Sequence, residues 1–340
     1  MDVVARVANV PARPKLIVLT GNGTERVRAD SLRKGADAFL EKPTPIREII
    51  TLARNLTENV HARPQQAAET PLEGKLLTRL LDSSALTPYV QPIFHITGDL
   101  PAIVSVECLT RGPAGTPFER ADVLFAYARH KHAESLVDRQ CMALSLGAVA
   151  GFPEHIRISV NVHASTLGRD ASFADWLSNC ITDSSVPSSR LTVEIVEHTT
   201  AWNQPELLGT LDRLRAAGVR IALDDVGLGE SNYNMIVNAR PDYLKIDRYF
   251  IQGCAGDKYR QAIVTSIVKL ADQLGAEVVA EGIENLEDLR TLQDSGISLV
   301  QGYAFCRSMP ASEFSLPSLQ LRLKNYLLEC QIHNHRFFPL

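Results

Sequence analysis

Apolar runs typical of buried β-strands recur along the chain, and nearly all of them end in a charged or amide side chain. Seven such runs are IVSVECL, IRISVNV, LTVEIVE, VRIALDDVG, YLKID, EVVAEGIE and ISLVQGY. The polar residues at their ends are Glu107, Asn161, Glu194, Glu197, Asp224, Asp225, Lys245, Asp247, Glu281, Glu284 and Gln301. A single polar strand end is ordinary, but the repetition predicts that these ends meet at one face of a sheet or barrel.

The converging carboxylates predict a divalent cation at this face. Carboxylates held close together repel one another and raise each other's pKa unless a cation neutralises them. The six candidate ligands all offer oxygen, with no histidine or cysteine among them: Glu107, Asn161, Glu194, Asp224, Asp225 and Glu281. Oxygen donors suit Mg²⁺ or Mn²⁺ and are poor ligands for zinc.

The adjacent pair Asp224–Asp225 indicates two ions. A carboxylate that bridges two ions about 3.5–4 Å apart is the usual device for in-line displacement at phosphorus. Lys245 lies on the same face of the run LKID as Asp247 and is a candidate to hold the attacking water or the phosphate. Arg111, four residues after Glu107, is the candidate clamp for a phosphate oxygen. Each residue alone has an ordinary alternative, such as a helix cap or a salt bridge, so the site is indicated by their combination.

The pattern divides the chain into four segments. Residues 1–57 alternate helical and strand-like stretches, and residues 58–73 are polar, carry two prolines and have no apolar period, which is typical of a linker. Residues 74–330 alternate strands and helices, and residues 331–340 form a tail. Eight strands with helices between most of them in about 250 residues match a (β/α)₈ barrel. A doubly wound open sheet is the alternative, but polar groups on seven of the eight strand ends favour closure.

Composition and charge limit the classes of binding partner and the cellular compartment that are expected for the protein. The formal net charge of −4 argues against general binding of a nucleic-acid polymer. No apolar stretch is long enough to span a bilayer, and the N-terminus lacks the layout of a secretory signal. The six cysteines contain no CxxC pair, so reduced thiols in a cytoplasmic protein are expected.

From about residue 85 to 315 the chain resembles the EAL-domain phosphodiesterases, which hydrolyse the bacterial second messenger cyclic di-GMP to the linear dinucleotide pGpG. Glu107-Cys108-Leu109 stands where the family has Glu-Ala-Leu, and Arg111 follows it. The other matching motifs are VNVH with Asn161, VEIVE with Glu194, DDVGLG from Asp224, Lys245-Ile246-Asp247, Glu281-Gly282-Ile283-Glu284 and Gln301-Gly302-Tyr303.

The resemblance implies a role for each matching residue. Glu107, Asn161, Glu194 and Asp224 would bind one metal, and Asp224, Asp225 and Glu281 the second. Lys245 would contact the nucleophilic water, and with Glu107 and Glu281 it forms the expected catalytic set. The expected substrate-binding residues are Gln91, Arg111, Asp247, Glu284 and Gln301, while Glu197 would brace the loop after Asp225. The family also implies a homodimer, a barrel whose first strand is antiparallel to the rest, and two Mg²⁺ or Mn²⁺ ions, with Ca²⁺ binding but not supporting turnover.

Three departures from the family pattern bear on activity. Cys108 replaces alanine beside the first ligand, and a thiol near a metal is expected to be sensitive to oxidation. Val226 and Glu230 change the loop after Asp225, which predicts lowered or regulated turnover. His163 stands where the family usually has serine and is assigned at most a supporting role.

Residues 15–57 resemble the last third of a response-regulator receiver domain. Thr20 falls at the hydroxyl position, and Lys42-Pro43 is the lysine–proline pair after the final strand. The segment supplies only the fourth and fifth of five strands, so no conventional phosphorylation site is expected. A remnant this small is expected to dock on the barrel, pair with a second copy or be partly disordered. A mis-assigned start would explain the truncation equally well.

Three functions remain open on the sequence. The first is two-metal hydrolysis of cyclic di-GMP. The second is an EAL domain of low or no activity that acts as a receptor for cyclic di-GMP. The third is another Mg²⁺-dependent barrel chemistry such as enolisation, which would need a dedicated base, and Lys245 is the one candidate.

Overall fold

A computed structural model describes residues 15–20, 25–41, 44, 52, 85–97, 101–196, 205–228 and 232–320. The chain divides into two compact units, Met1–Thr70 and Pro71–Leu340.

The described part of the first unit is a parallel β–α–β motif. Strand β1 (Ile17–Thr20) pairs in parallel with β2 (Ala38–Glu41), and helix α1 (Glu25–Arg33) connects them. The helix ends at Arg33 and is followed by a turn at Gly35, whose φ of 101° suits glycine and whose N–H donates to the Leu32 carbonyl. These elements lie where the sequence predicts them. The receiver resemblance stays a prediction, because Lys42 and Pro43 lie outside the described residues.

The second unit is built on eight strands that form a closed barrel. The strands are β3 (Thr87–His95), β4 (Ala102–Arg111), β5 (Arg157–His163), β6 (Leu191–Val196), β7 (Arg220–Val226), β8 (Tyr243–Ile246), β9 (Glu277–Ala280) and β10 (Leu299–Val300). Each strand pairs with the next, and β10 pairs with β3 to close the ring. The pairings are parallel except for those of β3, which is antiparallel to both β4 and β10. The predicted barrel with an antiparallel first strand is therefore confirmed, and the open doubly wound sheet is wrong.

Helices connect the strands. They are α2 (Ala121–His130), α3 (Glu134–Val149), α4 (Ala164–Arg169), α5 (Phe173–Ser184), α6 (Pro205–Ala216), α7 (Asn232–Ala239), α8 (Arg248–Ile251), α9 (Lys258–Leu274) and α10 (Leu286–Asp294). A short strand, β11 (Met309–Pro310), pairs with β3 beside the barrel. Among the described helices, none combines the length and hydropathy that crossing a membrane requires.

The main core lies between the barrel and its helices. Strand residues such as Ile158 and Val193 are fully buried in one cluster with helix residues such as Leu146 and Leu177. Burying a side chain of this size contributes roughly 1.5–3 kcal/mol. Most of the hydrophobic stabilisation therefore arises outside the barrel, which leaves the barrel interior available for polar groups.

Inside the barrel, residues from all eight strands line a small cavity, which Glu194 and Lys245 also reach. We call eight of the lining residues, one from each strand, the lower layer. They are Ile93, Ser105, Ser159, Thr192, Ala222, Tyr243, Val279 and Leu299. The cavity has a volume of about 40 Å³, enough for a few water molecules. The five apolar or aromatic members form a cluster of their own with Val104.

Candidate active site

The residue two positions beyond each lower-layer residue faces the same side of its strand, because side chains alternate with a period of two. We call these eight residues the site layer. They are Gln91, Glu107, Asn161, Glu194, Asp224, Lys245, Glu281 and Gln301. In β3 the site residue Gln91 comes before Ile93 rather than after it, because this strand runs in the opposite direction.

Lys245 lies at the centre of the site layer and is 1% exposed. Its Nζ is 2.6 Å from Glu194 Oε2 and 2.6 Å from Glu281 Oε1. Glu107 Oε2 and Asp224 Oδ1 are each 3.4 Å away. Four strands thus bring their carboxylates around one ammonium group, which cannot neutralise all of them.

Neighbouring polar side chains fix the orientation of Glu107 and Glu194. Asn161 Nδ2 donates to Glu107 Oε1 over 2.9 Å, and Gln301 Nε2 donates to Glu107 Oε2 over 2.9 Å. The Ser159 hydroxyl donates to Glu194 Oε1. Sequence reasoning missed Ser159, although its position two residues before Asn161 on the same strand face was the available signal.

A backbone irregularity in β7 brings two adjacent carboxylates to the site. The pairing with β8 shifts register between Leu223 and Val226, which is the mark of a β-bulge. Asp225 has a φ of 52°, a left-handed conformation that is uncommon for residues other than glycine. As a result, ligand atoms of Asp224, Asp225 and Glu281 all lie within 4.8 Å of one another.

Two buried oxygens of the candidate ligands accept no hydrogen bond within the described part of the chain. They are Asn161 Oδ1 and Asp224 Oδ1. An unsatisfied buried acceptor costs about 1–3 kcal/mol, so each such group calls for an explanation. A cation bound by both oxygens provides one, and the oxygen-only donor set fits Mg²⁺ or Mn²⁺. The residues present therefore fit the metal that the sequence predicts.

The charge distribution raises the pKa of most of these carboxyl groups. Burial, opposed by Lys245 and reinforced by the nearby carboxylates, raises the pKa of Glu194 to about 7. Burial and the neighbouring Asp224 raise the pKa of Asp225 to about 6. The pKa of Glu281 also lies well above its usual value because the group is buried. Without a metal the cluster therefore tends to retain protons, and a bound cation would displace them.

The pKa values of Glu107 and Lys245 shift in the directions that favour their charged forms. Burial alone would raise the pKa of Glu107, but the Lys245 ammonium and hydrogen bonds from Asn161 and Gln301 bring it below its usual value. Burial opposes the charge of Lys245, yet the four surrounding carboxylates, Asp224 first, hold its pKa well above the usual range. The surroundings therefore favour the charged form of Lys245.

A pocket of about 190 Å³ opens above the site layer. The predicted substrate-binding residues Gln91, Glu284 and Gln301 line it together with Glu107, Asp224 and Glu281. Sequence reasoning assigned no role to the other six lining residues, four of which lie within the quoted motifs: Leu109, Arg248, Gln252, Gly282, Gly302 and Tyr303.

Two further predicted residues of the described part, Arg111 and Asp247, do not line this pocket. Arg111 stacks over the Tyr89 ring at 5.4 Å, and its Nη2 donates to Ser308 Oγ over 3.4 Å. Asp247 caps α8 by accepting from the Tyr249 N–H and also raises the pKa of Asp225. Glu197 and Glu230 lie outside the described residues.

The predicted oxidation sensitivity of Cys108 is not supported. Cys108 belongs to the core between barrel and helices, whereas Glu107 faces the barrel interior. Burial and the charge of Glu107 raise the pKa of the thiol far above its usual value. Because the thiolate is the reactive form, a buried thiol of this kind is inert.

Comparison with known proteins agrees with this arrangement. The profile of a family described as EAL domain matches residues 75–308. The chain is 30% identical over 283 residues to the cyclic di-GMP phosphodiesterase RocR of Pseudomonas aeruginosa, covering 81% of this chain and 71% of RocR. It is 34% identical over 172 residues to the cyclic di-GMP phosphodiesterase NbdA of the same organism, which covers 51% of this chain and only 22% of NbdA.

A solved structure extends the similarity to the fold. The phosphodiesterase PaMucR in complex with c-di-GMP superposes with a TM-score of 0.63 at 27% identity. The match covers 71% of this chain and 99% of that structure. The similarity therefore extends to the fold of most of this chain.

Proposed function

The chain belongs to the EAL-domain family, and we propose on that basis that it hydrolyses cyclic di-GMP to linear pGpG with the help of two divalent ions. Relatives named as cyclic di-GMP phosphodiesterases support the substrate, and the site geometry supports the chemistry. The receptor alternative is not favoured, because every ligand position predicted from the sequence carries an oxygen donor.

The observation that carries the proposal is a buried ligand oxygen without a donor beside an excess of carboxylates. Asn161 Oδ1 accepts no hydrogen bond in the described part of the chain, and Lys245, which lies 3.4 Å from Asp224 Oδ1, faces four carboxylates. We assign Glu107, Asn161, Glu194 and Asp224 to one ion. Asp224, Asp225 and Glu281, whose ligand atoms cluster within 4.8 Å, are assigned to the other. Bound Mg²⁺ or Mn²⁺ would supply an activated water and stabilise the leaving oxygen.

The chain's own residues orient the reactants. Lys245 is held by ion pairs to Glu194 and Glu281, and in this proposal its ammonium group also contacts the attacking water. Gln301 and Gln91 line the pocket, where their amides can bind substrate or water. Arg111, fixed by Tyr89 and Ser308, is placed to bind a phosphate oxygen, and Glu284 at the pocket wall and Asp247 at the start of α8 complete the proposed substrate site.

We also propose that the protein acts in the cytoplasm as a homodimer. The five described cysteines are all free thiols, as expected in a reducing compartment.

Tyr233 and Val237 lie one turn apart on α7 and are 76% and 70% exposed. A second copy that covers this face would bury both side chains. Replacing both with serine should convert a dimer to a monomer in sedimentation analysis, and an unchanged dimer would exclude this face.

The direct test is turnover of cyclic di-GMP by the purified full chain. We expect linear pGpG with Mn²⁺ or Mg²⁺ and none with Ca²⁺, whose flexible coordination does not support the reaction. The Glu107→Gln variant should bind less metal and lose turnover, while the exposed carboxylate variant Asp212→Asn serves as the matched control. Tight binding of cyclic di-GMP without product over hours would support the receptor function instead, and rapid turnover in Ca²⁺ alone would contradict the metal assignment.

A further inference from the structure

A buried aspartate–histidine pair lies just outside the barrel near Asn161. Asp138 on α3 is 1% exposed, and His163 at the end of β5 is 4% exposed. His163 Nδ1 is 2.8 Å from Asp138 Oδ1, and because a carboxylate only accepts, Nδ1 carries the proton. The His163 ring also packs against the Phe125 ring on α2, with 5.1 Å between the centroids.

The same carboxylate holds the backbone at this point. The His163 N–H donates to Asp138 Oδ2 over 3.0 Å, and the Thr166 hydroxyl on α4 donates to the same oxygen over 2.5 Å. Within the described residues Asp138 therefore receives three hydrogen bonds, from the end of β5 and from the helix α4 that follows it. A buried backbone N–H needs a partner, and here a side chain supplies it.

The hydrogen bonds to Asp138 hold β5 beyond the point where its pairing with the neighbouring strand β4 has ended. The β4–β5 pairing ends at Cys108 and Val160, one residue before Asn161. Beyond that point β5 is held on the β4 side by the side chain of Asn161, which donates to Glu107 Oε1 and to the Cys108 carbonyl. The hydrogen bonds to Asp138 follow two residues later, at His163, where β5 also still pairs with β6.

We propose that His163 and Asp138 are positioning residues for Asn161, holding the end of β5 where the unpartnered Asn161 Oδ1 can bind a metal ion. This inference rests on the proposed function, since it requires that a metal occupies the site. Groups that orient metal ligands typically change metal affinity by about 10–100-fold when they are removed.

The test is equilibrium binding of Mn²⁺, followed by the electron paramagnetic resonance signal of the free ion. His163→Leu retains a branched side chain but has no donor, whereas His163→Asn places an amide N–H close to the position of Nδ1. We expect His163→Leu to bind Mn²⁺ about tenfold more weakly than the native chain and His163→Asn to recover most of the affinity. Asp138→Asn, which retains one acceptor oxygen, should weaken binding in the same direction.

A matched control separates positioning from general loss of stability. Val149, fully buried at the other end of α3, is replaced by alanine. The Val149→Ala variant should unfold at lower urea concentration yet bind Mn²⁺ like the native chain. The inference is overturned if His163→Leu binds Mn²⁺ as tightly as the native chain, or if Val149→Ala weakens binding equally. A native chain that binds no Mn²⁺ would overturn the proposed function and this inference together.

Discussion

The lower layer and the site layer lie two residues apart on the same eight strands. Apolar packing dominates the lower layer, whereas charged and amide groups dominate the site layer. The lower layer consists of apolar side chains, hydroxyls and Tyr243, packed around a cavity of about 40 Å³. The site layer contains four carboxylates around Lys245, and its Asn161 Oδ1 is buried without a hydrogen-bond donor in the described part of the chain. The difference indicates that packing stabilises one end of the barrel, whereas the other holds more carboxylates than one lysine can neutralise.

The largest expected contrast comes from a site-layer residue. Glu281→Gln removes a proposed ligand, so activity should fall by more than about 100-fold, beyond the loss expected for a merely supporting group. The pKa of Glu281 is raised, so its ionised form opposes folding, and the neutral glutamine should leave the metal-free protein at least as stable as the native chain. Urea unfolding in EDTA and turnover in Mn²⁺ measure the two effects. A variant that is both inactive and strongly destabilised would remove the distinction between the layers.

A lower-layer substitution should show the opposite behaviour. Leu299→Ala removes packing from the barrel interior and should lower the free energy of unfolding by about 2–3 kcal/mol. Turnover per folded molecule at saturating Mn²⁺ should stay unchanged, because Leu299 touches none of the proposed ligands in the way that Ser159 does. Urea unfolding and steady-state kinetics on the same preparation test this, and a large fall in turnover would show that the layers are coupled.

Ser159 is the lower-layer residue that reaches the site, since its hydroxyl donates to Glu194. Replacing it with alanine should weaken Mn²⁺ binding about tenfold, because Glu194 loses the group that orients it. Thr192→Val, another loss of a hydroxyl from the same layer, is the matched control and should leave Mn²⁺ binding unchanged. Equal effects of the two substitutions would mean that the hydroxyls act through packing alone.

The smallest expected effect is a pH dependence of metal-free stability. The pKa values of Glu194 (about 7) and Asp225 (about 6) are raised in the folded protein, so both carboxyl groups favour folding when they are protonated. Their contribution to the free energy of unfolding is fully present below about pH 4 and is lost as the pH rises to about 7. With Mn²⁺ bound, this decline should flatten because the ion takes the place of the protons. Thermal unfolding from pH 5 to 8, in EDTA and in Mn²⁺, compares the two slopes. Parallel curves would contradict the proposed titration.

Much of the site could be predicted from sequence because strand side chains alternate. Once a strand is assigned, residues two positions apart share a face. The sequence therefore indicates which side chains lie on the same face as Asn161, Glu194 and Lys245 in their strands. The antiparallel direction of β3, by contrast, was implied by the family resemblance and not by this alternation. The same rule would have identified Ser159, which was missed.

Features that depend on tertiary contacts could not be predicted from the sequence. The strand predicted through Glu284 ends at Ala280, and the following loop turns at Gly282 with a φ of 69°. A side chain there would collide with Arg248, a contact made by a different strand–helix connection. The Asp138–His163 pair likewise joins a helix to a distant strand end, and neither residue belongs to a repeating pattern.

The central claim is that the site layer holds two divalent ions, and the number of Mn²⁺ ions bound per chain tests it most directly. We expect two ions at saturation for the native chain. For Asp224→Asn, which alters the ligand assigned to both ions, we expect at most one. A native chain that retains no Mn²⁺, or an Asp224→Asn variant that still binds two ions with native affinity, would contradict the account.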